Sequence, residues 1–115
     1  MGDDPAARRR TLETAGRLRQ EAAARLLWLE RAAGDVPVII QPGISSAVTE
    51  PFLRFLEAER IITPPETAQI QRAARADLLL DRLRHQIDLA RERERMLAVA
   101  EAKARQELEL AKPRR

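Results

Sequence analysis

The sequence predicts an all-α protein: a helical bundle or hairpin of three helices, with a long, coiled-coil-like C-terminal helix and one extended connector. Apolar residues recur at steps of three and four, the period of an α-helix, in both the N-terminal and the C-terminal part of the chain. Between Pro65 and Pro113 there is neither glycine nor proline, so nothing there breaks a helix. A short segment rich in valine, isoleucine and proline predicts the connector.

The first helix is predicted over residues 5–33. Pro5 fits a first helical turn because its missing N–H is not needed there, and Asp4 is a good N-terminal cap. Gly34 follows the last periodic residue and is predicted to end the helix. The apolar stripe consists of Leu12, Ala15, Leu18, Ala22, Leu26, Leu29 and Ala33.

The connector is predicted over residues 34–49. Its β-branched residues favour extended backbone, and Pro37 and Pro42 oppose a helix. Pro42 and Gly43 fit the two central positions of a type II turn, and Ser45 is suited to turn or capping chemistry. We expect the apolar side chains to fill a gap between helices. The alternative is a strand that pairs with an exposed sheet edge of a partner.

A short second helix is predicted over residues 50–60. Thr49 is the expected N-terminal cap, and Pro51 lies in the first turn, where proline is tolerated. Phe52 and Phe55 share one face of this helix. We therefore expect the two phenylalanines to belong to the core.

The third helix is predicted to begin at Pro64. Thr63 and Glu66 have the spacing of a capping box, with Pro64 at the first helical position. The helix would then run for about 47 residues, or roughly 70 Å at 1.5 Å per residue. A small domain cannot cover a helix of that length.

The segment Arg91–Arg95 contains no apolar residue, and it divides the long helix into two parts. Residues 1–90 are predicted to form a small bundle, with the last helix contributing residues 64–90. Residues 91–115 are predicted to be a projecting continuation with a basic end. A strict heptad would place Glu94 and Glu101 in its seam. This part is either a solvated helical tail or a docking helix.

Composition adds a reason to expect a partner. Hydrophobic residues make up 44% of the chain, but aromatic residues make up only 3%, and alanine dominates. Because alanine buries little area, a monomer would have a thin core. The net charge of +3 comes from 21 basic and 18 acidic residues, which describes a mixed, solvated surface.

No catalytic, cofactor-binding or metal-binding residue is predicted. The chain has no cysteine, which excludes disulfides and thiolate metal sites. His85 is the single histidine, and its neighbours Asp81 and Asp88 suggest a surface contact. Ser45 has only half of a nucleophile-elbow motif. We therefore expect no enzyme activity and no small-molecule substrate.

The predicted function is that of a non-enzymatic helical interaction or assembly protein, either a structural subunit or an adaptor. It would act through its long amphipathic helices on a protein partner or on further copies of itself. The residues expected to contact the partner are Trp28, Leu97, Ala100, Ala104 and Leu108.

The alternative is an accessory nucleic-acid-binding protein that uses arginine-rich termini to contact phosphates. Aromatic residues that would stack on bases are absent from both termini. The residues that would contact the nucleic acid are Arg8, Arg9, Arg10, Arg17, Lys112, Arg114 and Arg115.

No segment is expected to span a membrane, because the richest apolar run, residues 22–29, contains Arg25 and is too short. The N-terminal residues are acidic and lack the apolar stretch of a signal peptide. We therefore expect a cytoplasmic protein.

Overall fold

The computed structural model describes residues 4–111, and within that range the protein consists of four helices. They are α1 (Pro5–Ile39), α2 (Ser46–Ala58), α3 (Pro64–Ala73) and α4 (Ala76–Leu110). The predicted all-α class is confirmed, as is the long C-terminal helix. Two long helices and two short ones replace the predicted set of three.

The helices form two compact units. Among the described residues, the terminal unit comprises 4–26 and 89–111, and the central unit is Leu27–Asp88. The terminal unit holds the N-terminal part of α1 and the C-terminal part of α4, and the central unit holds α2, α3 and the remainder of α1 and α4.

The central unit contains the larger core. All four of its helices contribute side chains that are less than 2% exposed, so the burial of leucine and isoleucine stabilises this unit. As expected, the first part of the C-terminal helix belongs to this core. The fully buried side chains are Leu29, Val36, Leu53, Leu56, Ile70, Leu79 and Leu83.

The predicted connector over residues 34–49 is wrong in its first part. Helix α1 passes through Gly34 and Pro37 and ends at Ile39. Val36 is fully buried and Ile40 is 5% exposed, so the apolar period of the first helix continues into this segment. Burial of these side chains outweighs the single hydrogen bond that Pro37 removes, and it overrides the extended preference of β-branched residues.

The chain turns at Pro42–Gly43. The Ile44 N–H donates to the Gln41 carbonyl at 3.3 Å, and Gly43 has a φ of +86°. These are the features of the predicted type II turn, in which glycine takes the position that needs a positive φ.

Helix α2 begins four residues earlier than predicted. Its N-terminal cap is Ser45, whose Oγ accepts a hydrogen bond from the Ala47 N–H at 3.1 Å. The predicted cap, Thr49, lies inside the helix. The capping role expected of Ser45 is confirmed, and the expected start at residue 50 is wrong.

The predicted capping box at the start of α3 is confirmed. The Thr63 hydroxyl accepts from the Glu66 N–H, and the Glu66 carboxylate accepts from the Thr63 N–H at 3.0 Å. Arg82 on α4 also donates to Glu66 at 2.6 Å. The bond from Arg82 is the largest cause of a lowered pKa of Glu66, and the Thr63 N–H adds to it.

The long third helix is interrupted, but not where the sequence suggested. The chain breaks at Ala74, which adopts a left-handed conformation with a φ of 50°, and α4 starts at Ala76. Arg75 donates two hydrogen bonds of 2.9 Å to Asp77 in the first turn of α4. This ion pair lowers the pKa of Asp77 to about 2.

Helix α4 is continuous through Arg91–Arg95, where Arg95 pairs with Glu92. Arginine and glutamate are strong helix formers, so the lack of apolar residues does not end the helix. The described residues beyond this segment lie against α1 in the terminal unit. The predicted projection of this part away from the rest of the chain is therefore wrong for residues 91–111.

Candidate interaction groove

One wall of a surface groove in the terminal unit is formed by α1. Its side chains are small or of moderate size and follow each other at steps of four, three and four, so they share one face of the helix. The Thr11 hydroxyl donates to the Ala7 carbonyl at 3.0 Å, which satisfies that polar group within the helix. The wall consists of Ala7, Thr11, Thr14 and Leu18, with Arg10 and Ala15 beside it.

The other wall is formed by Leu97 and Ala100 of α4. Together the two walls enclose an open groove with a volume of about 530 Å³. Because Ala100 and Thr14 are short and exposed, the backbones of α1 and α4 can be approached closely here. The groove is therefore a trough lined mainly by apolar atoms.

Two further surface features adjoin the groove within the terminal unit. A smaller depression of about 130 Å³ lies further along the two helices, and Leu18 lines both depressions. Met96 lies four residues before Ala100 on the same side of α4, and Val99 lies three residues after Met96; each is 64% exposed. The trough is thus part of a larger apolar surface.

Contacts between α1 and α4 hold the groove walls together. Arg19 donates to one carboxylate oxygen of Glu101, and Arg105 donates to the other at 3.0 Å. Glu101 is the buried charged residue of this contact, at a position that a strict heptad places in the seam. These bonds, with Arg19 contributing most, lower the pKa of Glu101 below its ordinary value.

Gly16 lies beside this ion pair. A Cβ atom at position 16 would stand 3.9 Å from the carboxyl carbon and from one carboxylate oxygen of Glu101. An alanine at position 16 would therefore be in ordinary van der Waals contact with Glu101.

The structure brings together two of the five residues predicted to contact a partner. Leu97 and Ala100 both line the groove. Ala104 is only 7% exposed and packs within the terminal unit, whereas Leu108 is half-buried on the same helix. Trp28 lies in the central unit. A role for these residues in partner binding stays a prediction.

The arginines of the alternative nucleic-acid site are largely engaged within the chain. Arg8 donates to the backbone carbonyl of Glu107 at 2.8 Å. Arg10 and Arg17 lie 3.9 and 3.3 Å from carboxylate oxygens of Asp4 and Glu21, respectively. Arg9 is exposed. The alternative stays a prediction, and part of it falls outside the described residues, namely Lys112, Arg114 and Arg115.

The residues weighed as catalytic candidates lie on the surface. His85 is exposed on α4 and borders a shallow depression together with Asp81 and Asp88. Within residues 4–111, no group of three or more histidine and acidic side chains is arranged to hold a metal ion.

Sequence reasoning missed the α1 wall of the groove. Periodicity places Leu18 in the apolar stripe of the first helix, whereas Thr11 and Thr14 lie outside that stripe. The signal that was present is the shared helical face of Ala7, Thr11 and Thr14, which becomes visible only when threonine is counted as a small side chain.

None of the helices described here has a stretch long and apolar enough to cross a lipid bilayer.

Comparisons with known proteins identify no relative of this chain. The chain matches no protein-family model, and neither a curated protein nor a solved structure matches it significantly.

Proposed function

We propose that the protein is a non-enzymatic interaction or assembly protein whose terminal unit receives a helix of a protein partner. The observation that carries this proposal is the open trough between α1 and α4, in which Leu97 and Ala100 face small side chains of α1. An amphipathic helix binds by laying its apolar face into such a groove.

The surroundings of the groove support the same function. Met96 and Val99 extend its apolar surface, and Arg10 and Arg93 lie beside its two depressions. An apolar surface with a polar rim is typical of a protein-binding site. The small side chains of the trough let a third helix pack close to both walls.

Position-specific photo-crosslinking in the host cell tests the proposal. A photoreactive amino acid at Thr14, inside the groove, is expected to crosslink to another polypeptide, either a second copy or a different protein. The matched control is the same amino acid at Gln20, which is exposed on a different face of α1. If neither position yields a product, or both yield the same products, the groove is not a binding site.

The proposal includes the cytoplasmic location expected from the sequence. Fractionation of the host cell followed by detection of the chain tests that part. Recovery of the chain outside the cytoplasmic fraction would contradict it.

A further inference from the structure

The side of α4 that borders the groove carries a second regular stripe in the terminal unit. Its seven residues follow each other at alternating steps of four and three, which is the spacing of a coiled-coil seam. Every one of them is exposed, and Leu110 is 73% exposed. The stripe consists of Leu89, Arg93, Met96, Ala100, Lys103, Glu107 and Leu110.

The order of side chains along this stripe is self-complementary about Ala100. From either end toward the centre, a leucine comes first and a charged residue second. The charged residue is Arg93 on one side and Glu107 on the other, and each is seven residues from Ala100. When two copies of the stripe run antiparallel, Arg93 of one copy therefore lies level with Glu107 of the other. The central residue is small, which favours close approach of a second helix.

We infer that the stripe binds a second copy of this chain, with the two α4 helices antiparallel and a two-fold axis at Ala100. In that arrangement Arg93 of each copy lies opposite Glu107 of the other, and Leu89 lies opposite Leu110. The alkyl part of Lys103 covers Met96 of the other copy while its ammonium group reaches water.

The charges favour a second copy over an unrelated partner. In an isologous contact each pair occurs twice, so one surface must complement itself. Arg93 and Glu107 are 14 residues apart, or about 21 Å along the helix, and cannot pair within one chain. Within residues 4–111 neither forms an ion pair, although both are exposed.

The thin core of the terminal unit also favours binding of a second copy. In its described residues, the buried apolar side chains are Ala22, Ala90 and Ala104. Alanine contributes little burial area, so two helices with this contact gain from further apolar cover. A second terminal unit would bury Met96, Val99 and the trough at Ala100.

The inference rests on the proposed function and names its partner. Sedimentation velocity and charge reversal test it. The unaltered chain is expected to be a dimer at micromolar concentration. Arg93→Glu and Glu107→Arg are each expected to weaken the dimer on the order of tenfold or more, because two attractive pairs become repulsive. Arg91→Glu is the control, since Arg91 is exposed on the opposite side of α4.

Mixing the two charge-reversed chains gives the most specific readout. In an equimolar mixture, the glutamate introduced at position 93 of one chain would face the arginine introduced at position 107 of the other. The second pair would join the unaltered Arg93 and Glu107, so both pairs would be attractive. We expect the mixture to dimerise about as tightly as the unaltered chain. The double variant Arg93→Glu with Glu107→Arg is expected to recover dimerisation by itself.

A cysteine at the axis provides a second, independent readout. The chain has no cysteine, so a disulfide in Ala100→Cys can form only between two copies. Cα atoms must lie within about 7 Å for that bond, which two helices reach only near the axis. Ala102→Cys, on another face of α4, is the control and is expected to stay reduced.

The outcomes separate this inference from the proposed function. A chain that stays monomeric at micromolar concentration overturns the inference, as does a mixture of the reversed chains that fails to dimerise. If the groove still crosslinks to a different protein in that case, the proposed function stands. If neither the dimer nor a crosslink is found, both are wrong. Circular dichroism verifies that every variant remains helical.

Discussion

Arg19 on α1 donates a hydrogen bond from its Nε to the carboxylate of Glu101 on α4. The second oxygen of Glu101 accepts from Arg105 at 3.0 Å, and the Glu101 side chain is only 11% exposed. A carboxylate with two arginine donors is stabilised in its charged form. This ion pair joins the two helices of the terminal unit.

The first prediction concerns the pH dependence of this contact. Because the pKa of Glu101 in the folded protein lies below its ordinary value of 4.5, the carboxylate stabilises the fold fully above pH 4.5. That stability is lost as the pH falls through the lowered pKa. Glu101→Gln is therefore expected to lower the thermal midpoint most at neutral pH, and the difference from the unaltered chain should shrink below pH 4.5.

Thermal unfolding at fixed protein concentration over a series of pH values measures this effect. Glu13→Gln is the control, because Glu13 is exposed on α1 in the same unit. An equal loss for the two variants at neutral pH, or a difference for Glu101→Gln that persists unchanged in acid, would contradict the assigned role.

Local signals in the sequence predicted the backbone correctly where they agreed with the packing of the folded chain. Thr63, Pro64 and Glu66 predicted the start of α3, and the dipeptide Pro42-Gly43 predicted the turn. The seam position of Glu101 also followed from periodicity. For the start of α3 and for the turn, the chemistry that fixes the backbone lies within a few residues.

Other features depended on contacts that the local sequence does not show. Gly34 and Pro37 indicated a helix end, but the burial of Val36 keeps them within α1. Ala74 carries no local signal for the left-handed conformation that separates α3 from α4. In the candidate groove, periodicity predicted Leu97 and Ala100, whereas the α1 wall required the folded arrangement.

The second prediction uses Gly34 to test the continuation of α1. Gly34 lies inside the helix, and nothing lies within 4 Å of a Cβ atom placed there. Gly34→Ala is expected to stabilise the protein by about 0.5–1 kcal/mol, because alanine favours helix more than glycine does. Urea denaturation measures the change. A loss of stability would instead indicate a helix that ends at this glycine.

The third prediction is the opposite response at Gly43. This residue has a φ of +86°, a conformation that a side chain disfavours. Gly43→Ala is expected to destabilise the protein by about 1 kcal/mol, although open space surrounds the position. Equal responses to alanine at positions 34 and 43 in urea denaturation would show that one of the two backbone conformations is wrong.

The fourth prediction separates the two neighbouring serines at the start of α2. Ser45→Ala removes the oxygen that accepts from the Ala47 N–H and is expected to cost about 1 kcal/mol. Ser46→Ala is the matched control, because Ser46 is the first residue of the helix and is exposed. Comparable denaturation midpoints for the two variants would exclude Ser45 as the cap.

The last prediction concerns the ring contact in the central unit. The Trp28 and Phe55 ring centroids lie 5.2 Å apart with a tilt of 56°, although Phe55 is 50% exposed. Such pairs contribute about 0.5–1.5 kcal/mol beyond area burial, so Phe55→Leu should lower stability by that amount and alter the emission of Trp28, the single tryptophan. Phe52→Leu, on the same helix, should leave the emission largely unchanged. If both substitutions change it equally, the emission reports general loosening of α2 and the specific ring contact is not supported.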